Sequence, residues 1–256
     1  MDSPKIYIYD CNNYVRIKAE TSISGSFIRS LLEEANRDSE NIVKFYVFDG
    51  PNANEYRRNI YPEYKKTRKL PTDNFFENLK WFKELLRYCK PNVCTIQVYG
   101  YEADDVIASI SKWFKEVTIF STDKDLLQIP NATLPMANSE WEKRRYIFTR
   151  KVLCGDPSDN IKGLKGFGKT TWEALPDYGK GIACDWVENG FPEAKLLFAK
   201  HLPTRAKNIV LEASDEEIDM LKKLVGFRDV ESDKIKLNFG TNELDKIEQQ
   251  LSEYML

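Results

Sequence analysis

Histidine and closely paired cysteines are what this sequence most lacks. His201 is its single histidine, and none of its five cysteines forms a Cys-x-x-Cys pair with another. Zinc sites in proteins are commonly built from histidine pairs or closely spaced cysteines, so a zinc site that needs a histidine pair is excluded. The odd number of widely spaced cysteines favours reduced thiols over disulfides.

A long apolar segment is also missing. The longest uninterrupted apolar runs are four residues, whereas a membrane-spanning helix needs about 20. No basic stretch followed by an apolar one opens the chain as it would in a secretory signal. We therefore expect a cytoplasmic protein without a membrane partner.

Positive charge is not in excess either. The formal net charge is −2, which argues against the positively coated surface that is typical of non-specific nucleic-acid binding. Basic residues do cluster locally, most densely over 57–69. Such a cluster is usually a solvated helix face, so by itself it is weak evidence for a binding site.

The pattern of apolar residues predicts an α/β fold. Short apolar runs typical of buried strands cover 5–10, 43–49, 93–98 and 117–121. Helical spacing of apolar residues covers 26–36, 75–89 and about 103–114. Strands that alternate with helices favour a mainly parallel central sheet flanked by helices. A glycine-rich segment then follows position 154, with further helical patterns beyond it.

Acidic residues follow the predicted strands at the point where each strand ends. They are Asp10 after the first strand, Asp49 after the second, Glu102, Asp104 and Asp105 after the third, and Asp123 and Asp125 after the fourth. Ligands of open α/β sheets bind outside the carboxyl ends of the strands, so we expect these side chains to converge on one edge.

Converging carboxylates predict a hard divalent cation, because like charges held close together raise one another's pKa unless a cation is present. Oxygen ligands without histidine or cysteine favour magnesium or manganese over zinc. For any single acid, capping of a helix start is the simpler interpretation. Three acids within 102–105 exceed what one helix start needs, so we favour the metal site and phosphoryl-transfer chemistry.

Several blocks of the sequence, in this order, resemble the flap-endonuclease and 5′-3′ exonuclease family, which includes phage nucleases and the 5′-nuclease domain of bacterial DNA polymerase I. They are Val47-Phe-Asp-Gly, Tyr56-Arg57 with Tyr61-Pro-Glu-Tyr-Lys-Lys-Thr-Arg, Glu102-Ala-Asp-Asp, Thr122-Asp-Lys-Asp-Leu-Leu-Gln and Gly155-Asp-Pro-Ser-Asp-Asn-Ile. The blocks cover roughly residues 1–171. As an ordered set they are more specific than any single motif.

The resemblance implies a metal-dependent 5′ nuclease that cleaves DNA at 5′ ends or flaps during replication or primer removal. It implies two Mg²⁺ or Mn²⁺ ions. Asp10, Asp49, Glu102, Asp104 and Asp105 would surround the first ion, and Asp123, Asp125, Asp156 and Asp159 the second. The implied partners are DNA with 5′ flaps, nicks or 5′ ends and RNA-DNA hybrids, bound by a monomer in a bacterial or phage-infected cell.

The resemblance also implies how the chain is divided. A nuclease core over 1–153 would include a helical arch at about 52–91, which would bring the catalytic cations Arg57, Lys65 and Arg68 to the scissile phosphate. A helix-3-turn-helix module, a helix-hairpin type of DNA-binding module, would follow at 154–200, and C-terminal helices at 201–256 would pack on the core. The residues implied to bind DNA are Tyr64, Lys66, Gly163, Gly166, Gly168, Lys169 and Thr170, with a potassium ion at the glycine-rich loop.

The chain departs from the family pattern at two places. Lys169 directly follows Gly168, whereas the family's lysine stands one residue later. Asp10 is followed by Cys11, where the family more often has glycine or alanine.

Two alternatives remain at this point. Gly163 to Thr170 also satisfies the G-x-x-x-x-G-K-[ST] pattern of a phosphate loop, which would make the chain an NTPase or kinase that uses Lys169 and Thr170. A phosphate loop should follow a buried strand, and turn-forming residues precede this one. The second alternative is an inert protein that binds branched DNA, against which the full acidic set argues.

Overall fold

A six-stranded mixed sheet lies at the centre of one part of the described chain. The computed structural model describes residues 3–21, 26–37, 41–69, 71–137 and 144–254. Within these ranges the strands follow the order β5-β4-β1-β2-β3-β6, and every pairing is parallel except that of β3 with β6. The strands are β1 Lys5–Asp10, β2 Ile42–Phe48, β3 Val93–Gln97, β4 Val117–Phe120, β5 Ala132–Thr133 and β6 Asn238–Phe239. The predicted α/β fold with a mainly parallel sheet is confirmed.

The chain divides into two compact units. The first comprises Met1–Ala53, Leu70–Asn138 and Arg228–Leu256, and the second comprises Asn54–Lys69 and Ser139–Phe227. The sheet belongs to the first unit, together with helices α1 Cys11–Thr21, α2 Ser26–Asn36, α4 Asp73–Leu86, α5 Ala103–Ser111 and α12 Leu244–Tyr254. The second unit contains α3 Glu55–Ile60, α6 Ile147–Cys154, α7 Lys169–Glu173, α8 Asp177–Val187, α9 Pro192–Lys200, α10 Thr204–Glu212 and α11 Asp215–Val225.

These units do not coincide with the predicted domain boundaries at 153 and 200. Residues 201–227 belong to the second unit and 228–256 to the first. The predicted arch region, about 52–91, contains α3 of the second unit and α4 of the first. The division into core, arch, DNA-binding module and C-terminal helices therefore stays a prediction.

Stacked aromatic rings fix the end of β1 inside the first unit. The ring of Tyr9 stacks on Tyr46 of β2 at 4.5 Å and on Phe120 of β4 at 4.6 Å between ring centroids. Each such pair contributes about 0.5–1.5 kcal/mol beyond the burial of its apolar area. The contacts hold together the three neighbouring strands β2, β1 and β4 one residue before Asp10.

A buried lysine joins β2 to the end of α2. The ammonium group of Lys44 donates hydrogen bonds to the carbonyl oxygens of Glu34, Ala35 and Arg37 at 2.9–3.2 Å. Carbonyls in the last turn of a helix have no partner within the helix, so the lysine satisfies them. Burial lowers the pKa of Lys44, which is the expected direction for an ammonium group taken out of water.

An apolar core and a buried arginine hold the second unit together. Trp172, Trp186 and Phe198 lie in a cluster of buried side chains contributed by its helices. Arg57 is 3% exposed. Its Nε donates to the carbonyl oxygen of Leu224 at 3.2 Å and its Nη2 to that of Gly226 at 2.9 Å. The guanidinium thus connects α3 to the C-terminal end of α11.

No helix in the described ranges combines the length and the apolar character that a membrane crossing requires.

Replacing Arg57 should destabilise the second unit. Arg57→Ala leaves two main-chain carbonyls without their charged donor, and we expect the free energy of unfolding to fall by about 3 kcal/mol. Arg58→Ala, an exposed arginine of the same helix, should change it by less than about 0.5 kcal/mol. Chemical denaturation of both variants measures this difference. Equal stabilities for the two variants would contradict the structural role of Arg57.

Candidate active site

Three acidic residues lie at the carboxyl ends of three adjacent parallel strands. Asp10 ends β1, Asp49 directly follows β2, and Asp123 lies three residues after β4. The strand order places β1 between β4 and β2. The strand order therefore brings these three residues to one edge of the sheet, as expected. We call Asp10, Asp49 and Asp123 the carboxylate edge.

Asp10 is the buried centre of the carboxylate edge. Its side chain is 4% exposed. Oδ2 accepts a hydrogen bond from the Ser121 hydroxyl at 2.8 Å, and Oδ1 accepts one from the Asn13 backbone at 3.3 Å. Burial raises the pKa of Asp10 to about 7; the Ser121 hydrogen bond opposes this rise, and the charges of Asp49 and Asp123 add to it.

Asp49 connects the sheet to the start of α5. Oδ1 accepts the Ala103 backbone N–H at 2.7 Å, and Oδ2 accepts the side-chain amide of Asn12 at 2.7 Å. The oxygen of the same Asn12 amide accepts the Asp49 N–H at 3.3 Å. Asp49 therefore satisfies one of the unpaired N–H groups of the α5 N-terminus, where negative charge is favourable.

Ser121 connects Asp123 to Asp10. The Ser121 oxygen accepts the Asp123 N–H at 3.0 Å while its hydroxyl donates to Asp10. Oδ1 of Asp123 in turn accepts the Asp125 N–H at 2.9 Å and caps the 3-10 turn Lys124–Gln128. One carboxylate oxygen of Asp123 is thus used locally. Asp125, half-buried beside it, also has partners of its own.

The acids at the start of α5 have different surroundings. Glu102, the residue that precedes the helix, is 5% exposed and makes no capping hydrogen bond through its side chain. Asp105 is fully buried, and its Oδ1 accepts the Arg228 N–H at 2.9 Å. Asp104 is half-buried. The capping interpretation therefore does not account for Glu102, whereas Asp105 has an evident structural contact.

The chemistry of the candidate ligands fits a hard cation, although these side chains are not grouped closely enough to hold the ion directly. All candidate ligands are carboxylates, and Asp10 carries a raised pKa that a nearby cation would lower again. Within the described part of the chain, no three acidic, histidine or cysteine side chains are close enough together to hold a metal ion directly. The carboxylate oxygens of the carboxylate edge therefore fit a hard divalent cation.

Asp156 and Asp159, both in the second unit, are each paired with a cation. Asp156 contacts the Lys151 ammonium at 2.6 Å and accepts the Ser158 hydroxyl at 2.6 Å. Burial would raise the pKa of Asp156, but Lys151 and Ser158 hold it below its usual range. Asp159 contacts Arg68 at 2.5 Å and accepts the Tyr64 hydroxyl at 3.2 Å. Their predicted role as ligands of a second metal stays a prediction.

Two residues of the predicted DNA-contacting set are buried. Tyr64 is 2% exposed, lies in the apolar core of the second unit and donates to Asp159. Arg57, predicted to be catalytic, is bound to main-chain carbonyls of the second unit. Both side chains make contacts within the second unit. Their predicted roles at DNA stay predictions.

The remaining predicted cations lie at or near the surface. Lys65 is half-buried in the left-handed backbone region (φ 54°), and its N–H donates to the Asp159 carbonyl at 2.9 Å. Arg68 is exposed over nearly half of its side chain. Lys66 is exposed and pairs with Glu63 at 2.9 Å.

The glycine-rich segment has the wrong context for a phosphate loop. Helix α6 and the 3-10 turn Pro157–Asp159 precede it where a buried strand should stand, and α7 after it is five residues long. Gly163 has φ 61°, and a Cβ there would lie 2.3 Å from the Gly155 nitrogen. This close approach of backbone to backbone explains that glycine without a nucleotide.

The other residues of the segment are exposed. Gly166 has φ 92°, and Gly168 precedes the first turn of α7. Lys169 pairs with Glu173 at 3.4 Å, and Thr170 is exposed. Their predicted contact with DNA stays a prediction.

Sequence reasoning missed the residues that orient the carboxylates. Ser121, Asn12 and Asn13 hold Asp10 and Asp49, and the Asn13 side chain also accepts the Thr122 N–H at 2.9 Å. Lys151 was not singled out as the partner of Asp156. A usable signal was present for Asn12 and Asn13, because two amides directly after a strand-ending aspartate suit such hydrogen bonds.

Comparisons with known proteins identify the family. Residues 12–153 match the family model described as 5′-3′ exonuclease, N-terminal resolvase-like domain. A 5′-3′ exonuclease of Aquifex aeolicus is 30% identical over 236 residues, which cover 82% of this chain and 81% of that protein. The thermostable DNA polymerase I of Thermus thermophilus is 34% identical over 172 residues, which cover 60% of this chain and 20% of the polymerase. The chain belongs to the 5′-3′ exonuclease family.

Solved structures agree on the fold. A T5 5′-exonuclease with bound zinc superimposes with a TM-score of 0.60 at 22% identity, over 97% of this chain and 98% of that one. The catalytic core of Rad2 in complex with a DNA substrate gives a TM-score of 0.57 at 17% identity, over 96% and 85% of the two chains.

The raised pKa of Asp10 predicts how its amide variant responds to pH. Asp10 is charged in the folded protein only above about pH 7, whereas in the unfolded chain it is charged above about pH 4. Between pH 4 and pH 7 the folded state holds a proton that the unfolded state has lost. The buried charge therefore lowers the free energy of unfolding by its full amount above pH 7, and this effect disappears towards pH 4. Without divalent metal, Asp10→Asn should therefore stabilise the protein by about 2 kcal/mol or more at pH 8, and by little near pH 4.

Thermal unfolding between pH 4 and 8 in EDTA measures this gain. Asp233→Asn, at an exposed acid, is the matched control and should be neutral throughout. If Asp10→Asn destabilised the protein at pH 8, the explanation based on a buried charge would be wrong.

Proposed function

We propose that the chain is a structure-selective 5′ nuclease that hydrolyses phosphodiester bonds of DNA at 5′ ends or 5′ flaps. The carboxylate edge, in a chain of the 5′-3′ exonuclease family, is the observation that carries the proposal. Named relatives support it, since they include a T5 flap endonuclease in complex with DNA and metal ions. The DNA polymerase I relatives support a role in DNA replication or removal of RNA primers.

The proposed cofactors are two divalent ions, Mg²⁺ or Mn²⁺. Asp10, Asp49 and Asp123 would hold them, with Glu102, Asp104 and Asp125 as further ligands or as acceptors for their bound water. Asp105 would first have to exchange its contact with Arg228, and Asp156 and Asp159 would have to exchange their ion pairs. When bound, such ions activate the attacking water and stabilise the leaving oxygen.

The protein's own contribution is to hold charged carboxylates in place. Asn12 and the start of α5 fix the two oxygens of Asp49, and Ser121 fixes Asp10 relative to Asp123. These hydrogen bonds favour the charged carboxylates, so they partly offset the effect of burial. The ligands are therefore oriented before any ion or substrate arrives.

Lys65 and Arg68 are the proposed cations for the scissile phosphate, with Lys66 as a more distant contact. Arg68 would leave Asp159, or share it, when it contacts the phosphate. A guanidinium can contact two phosphate oxygens at once, and both cations would neutralise charge that develops in the transition state. Arg57 and Tyr64 are left out of this set because both are buried in the second unit.

The glycine-rich segment is proposed to hold the DNA backbone. Gly163, Gly166, Gly168, Lys169 and Thr170 would contact a phosphate, with a potassium ion as the bridging cation. Backbone N–H groups at the start of a helix are suited to a phosphate. The proposed partners are DNA with 5′ flaps, nicks or 5′ ends and RNA-DNA hybrids, bound by a monomer in the cytoplasm of a bacterial or phage-infected cell.

Asp123→Asn provides the direct test of the proposed chemistry. The amide keeps the oxygen that caps the following turn but removes the charge, so the variant should fold as the wild type does. We expect magnesium-dependent cleavage of an end-labelled 5′-flap duplex to fall by about 100-fold or more, because the lost charge weakens metal binding.

Asp233→Asn, EDTA and blunt duplex are the controls. Cleavage at the wild-type rate by Asp123→Asn would refute the proposed role of the carboxylate edge. If the wild type bound the flap duplex but left it intact in both magnesium and manganese, the chain would instead be an inert protein that binds branched DNA.

A further inference from the structure

The second unit contains a cavity beside the glycine-rich segment, and Gly163 and Gly166 of that segment line it. Its volume is about 530 Å³. Its walls come from Tyr61, which follows α3, from residues 161–163, 165 and 166 of the glycine-rich segment, and from one face of α11. Pockets for small molecules commonly measure about 300–1,000 Å³. The cavity therefore has the size of a site for a small molecule, and the described residues that line it belong to the second unit.

The floor of the cavity is apolar and one wall is aromatic. Ile161, Leu221 and Leu224 are 3–4% exposed and supply aliphatic surface, and Met220 is half-buried beside them. Tyr61 contributes a half-buried ring. Aliphatic and aromatic surfaces that face one cavity suit a flat ring, because a ring can stack on the tyrosine and pack on the aliphatic floor.

Two lysines give the rim of the cavity a positive charge. Lys162 and Lys165 both line it and are exposed. In the part of the chain that the structure describes, neither lysine has an ion pair or hydrogen bond, whereas Lys169 is paired with Glu173. None of the described residues that line the cavity is acidic. An ammonium group without a partner at the rim of an apolar pocket favours an anionic group on the ligand, such as a phosphate.

The walls are held in place by contacts that need no ligand. Arg57 connects α3 to the main chain at Leu224 and Gly226, which fixes the position of Tyr61 relative to α11. The Asn160 side chain donates to the Glu63 carbonyl at 2.9 Å, which fixes the segment after Tyr61 relative to the wall from the glycine-rich segment. A preformed pocket loses little free energy to reorganisation when a ligand binds.

We propose that this cavity binds a nucleotide, with the base between Tyr61 and the aliphatic floor and the 5′-phosphate at Lys162 and Lys165. Two sources share this chemistry: a free nucleoside 5′-monophosphate, which is the kind of product that a 5′ exonuclease releases, and an unpaired nucleotide within a DNA strand. A site for the base differs from the proposed backbone contacts of the glycine-rich loop, because those involve phosphate alone.

The test is the binding of deoxyadenosine 5′-monophosphate to the full-length protein in EDTA and low salt, measured by calorimetry. Lys162→Ala/Lys165→Ala should weaken binding by about tenfold or more, which corresponds to the loss of charged contacts to the phosphate. Lys200→Ala/Lys207→Ala changes the net charge equally at two exposed lysines of the second unit that do not line the cavity. This control should bind as the wild type does.

Tyr61 variants separate recognition of the base from recognition of the phosphate. Tyr61→Leu should weaken binding of the mononucleotide but leave binding of inorganic phosphate unchanged, and Tyr61→Phe should retain both. Circular dichroism melts check that every variant is folded. The proposal is overturned if the mononucleotide binds no more tightly than inorganic phosphate. It is also overturned if folded variants of the lysine pair and of Tyr61 all bind as the wild type does.

Competition with DNA identifies the source of the nucleotide. A flap duplex that displaces the mononucleotide, while the same duplex with an abasic flap does not, would assign the cavity to an unpaired nucleotide of the strand. If neither duplex displaces the mononucleotide, the cavity is a site for the free product. Because EDTA prevents metal-dependent cleavage, this measurement can fail while the proposed nuclease activity stands, and the reverse also holds.

Discussion

The burial of a carboxylate among like charges is the constraint on which the rest of the structure depends. Asp10 ends the central strand of three, is almost fully buried, and is affected by the charges of both Asp49 and Asp123. A buried charge without a counter-ion destabilises a folded protein, and the group responds with a raised pKa. The fold keeps this arrangement because the strands around it are strongly held, by the stacked rings of Tyr9, Tyr46 and Phe120 among other contacts. Such an accumulation of acid is a common mark of a functional site.

The two compact units have different proposed roles, one in binding cations and the other in binding phosphates. The first contains the carboxylate edge and the small polar residues that orient it, Ser121 and Asn12. In the second, Asp156 pairs with Lys151 and Asp159 pairs with Arg68. Lys162 and Lys165, which have no partner among the described residues, line an apolar cavity. The first unit therefore presents excess negative charge suited to cations. The second presents positive charge and backbone N–H groups suited to phosphates.

The strands and the carboxylate edge were predictable from the sequence because both depend on local patterns. Apolar runs that end at Asp10 and Asp49 mark strand ends, and parallel strands bring their ends to one edge. The contacts of Arg57 were not predictable, because its partners lie 167 and 169 residues away and the local sequence is that of a basic helix. The same holds for Asp105, whose partner is the backbone of Arg228, and for the capping of α5 by Asp49. Such contacts are set by tertiary packing, and the local periodicity of the sequence does not predict them.

The carboxylate edge should need a divalent cation, and unfolding in the presence of such a cation tests this requirement most directly. A ligand that binds only the folded state raises stability as its concentration exceeds its dissociation constant. Thermal unfolding at pH 8 should therefore shift to higher temperature as Mg²⁺ or Mn²⁺ is added to the wild type. A variant that carries both Asp10→Asn and Asp123→Asn should show little or no shift. An unfolding temperature of the wild type that is independent of both metals, or an equal shift in the double variant, would contradict the account.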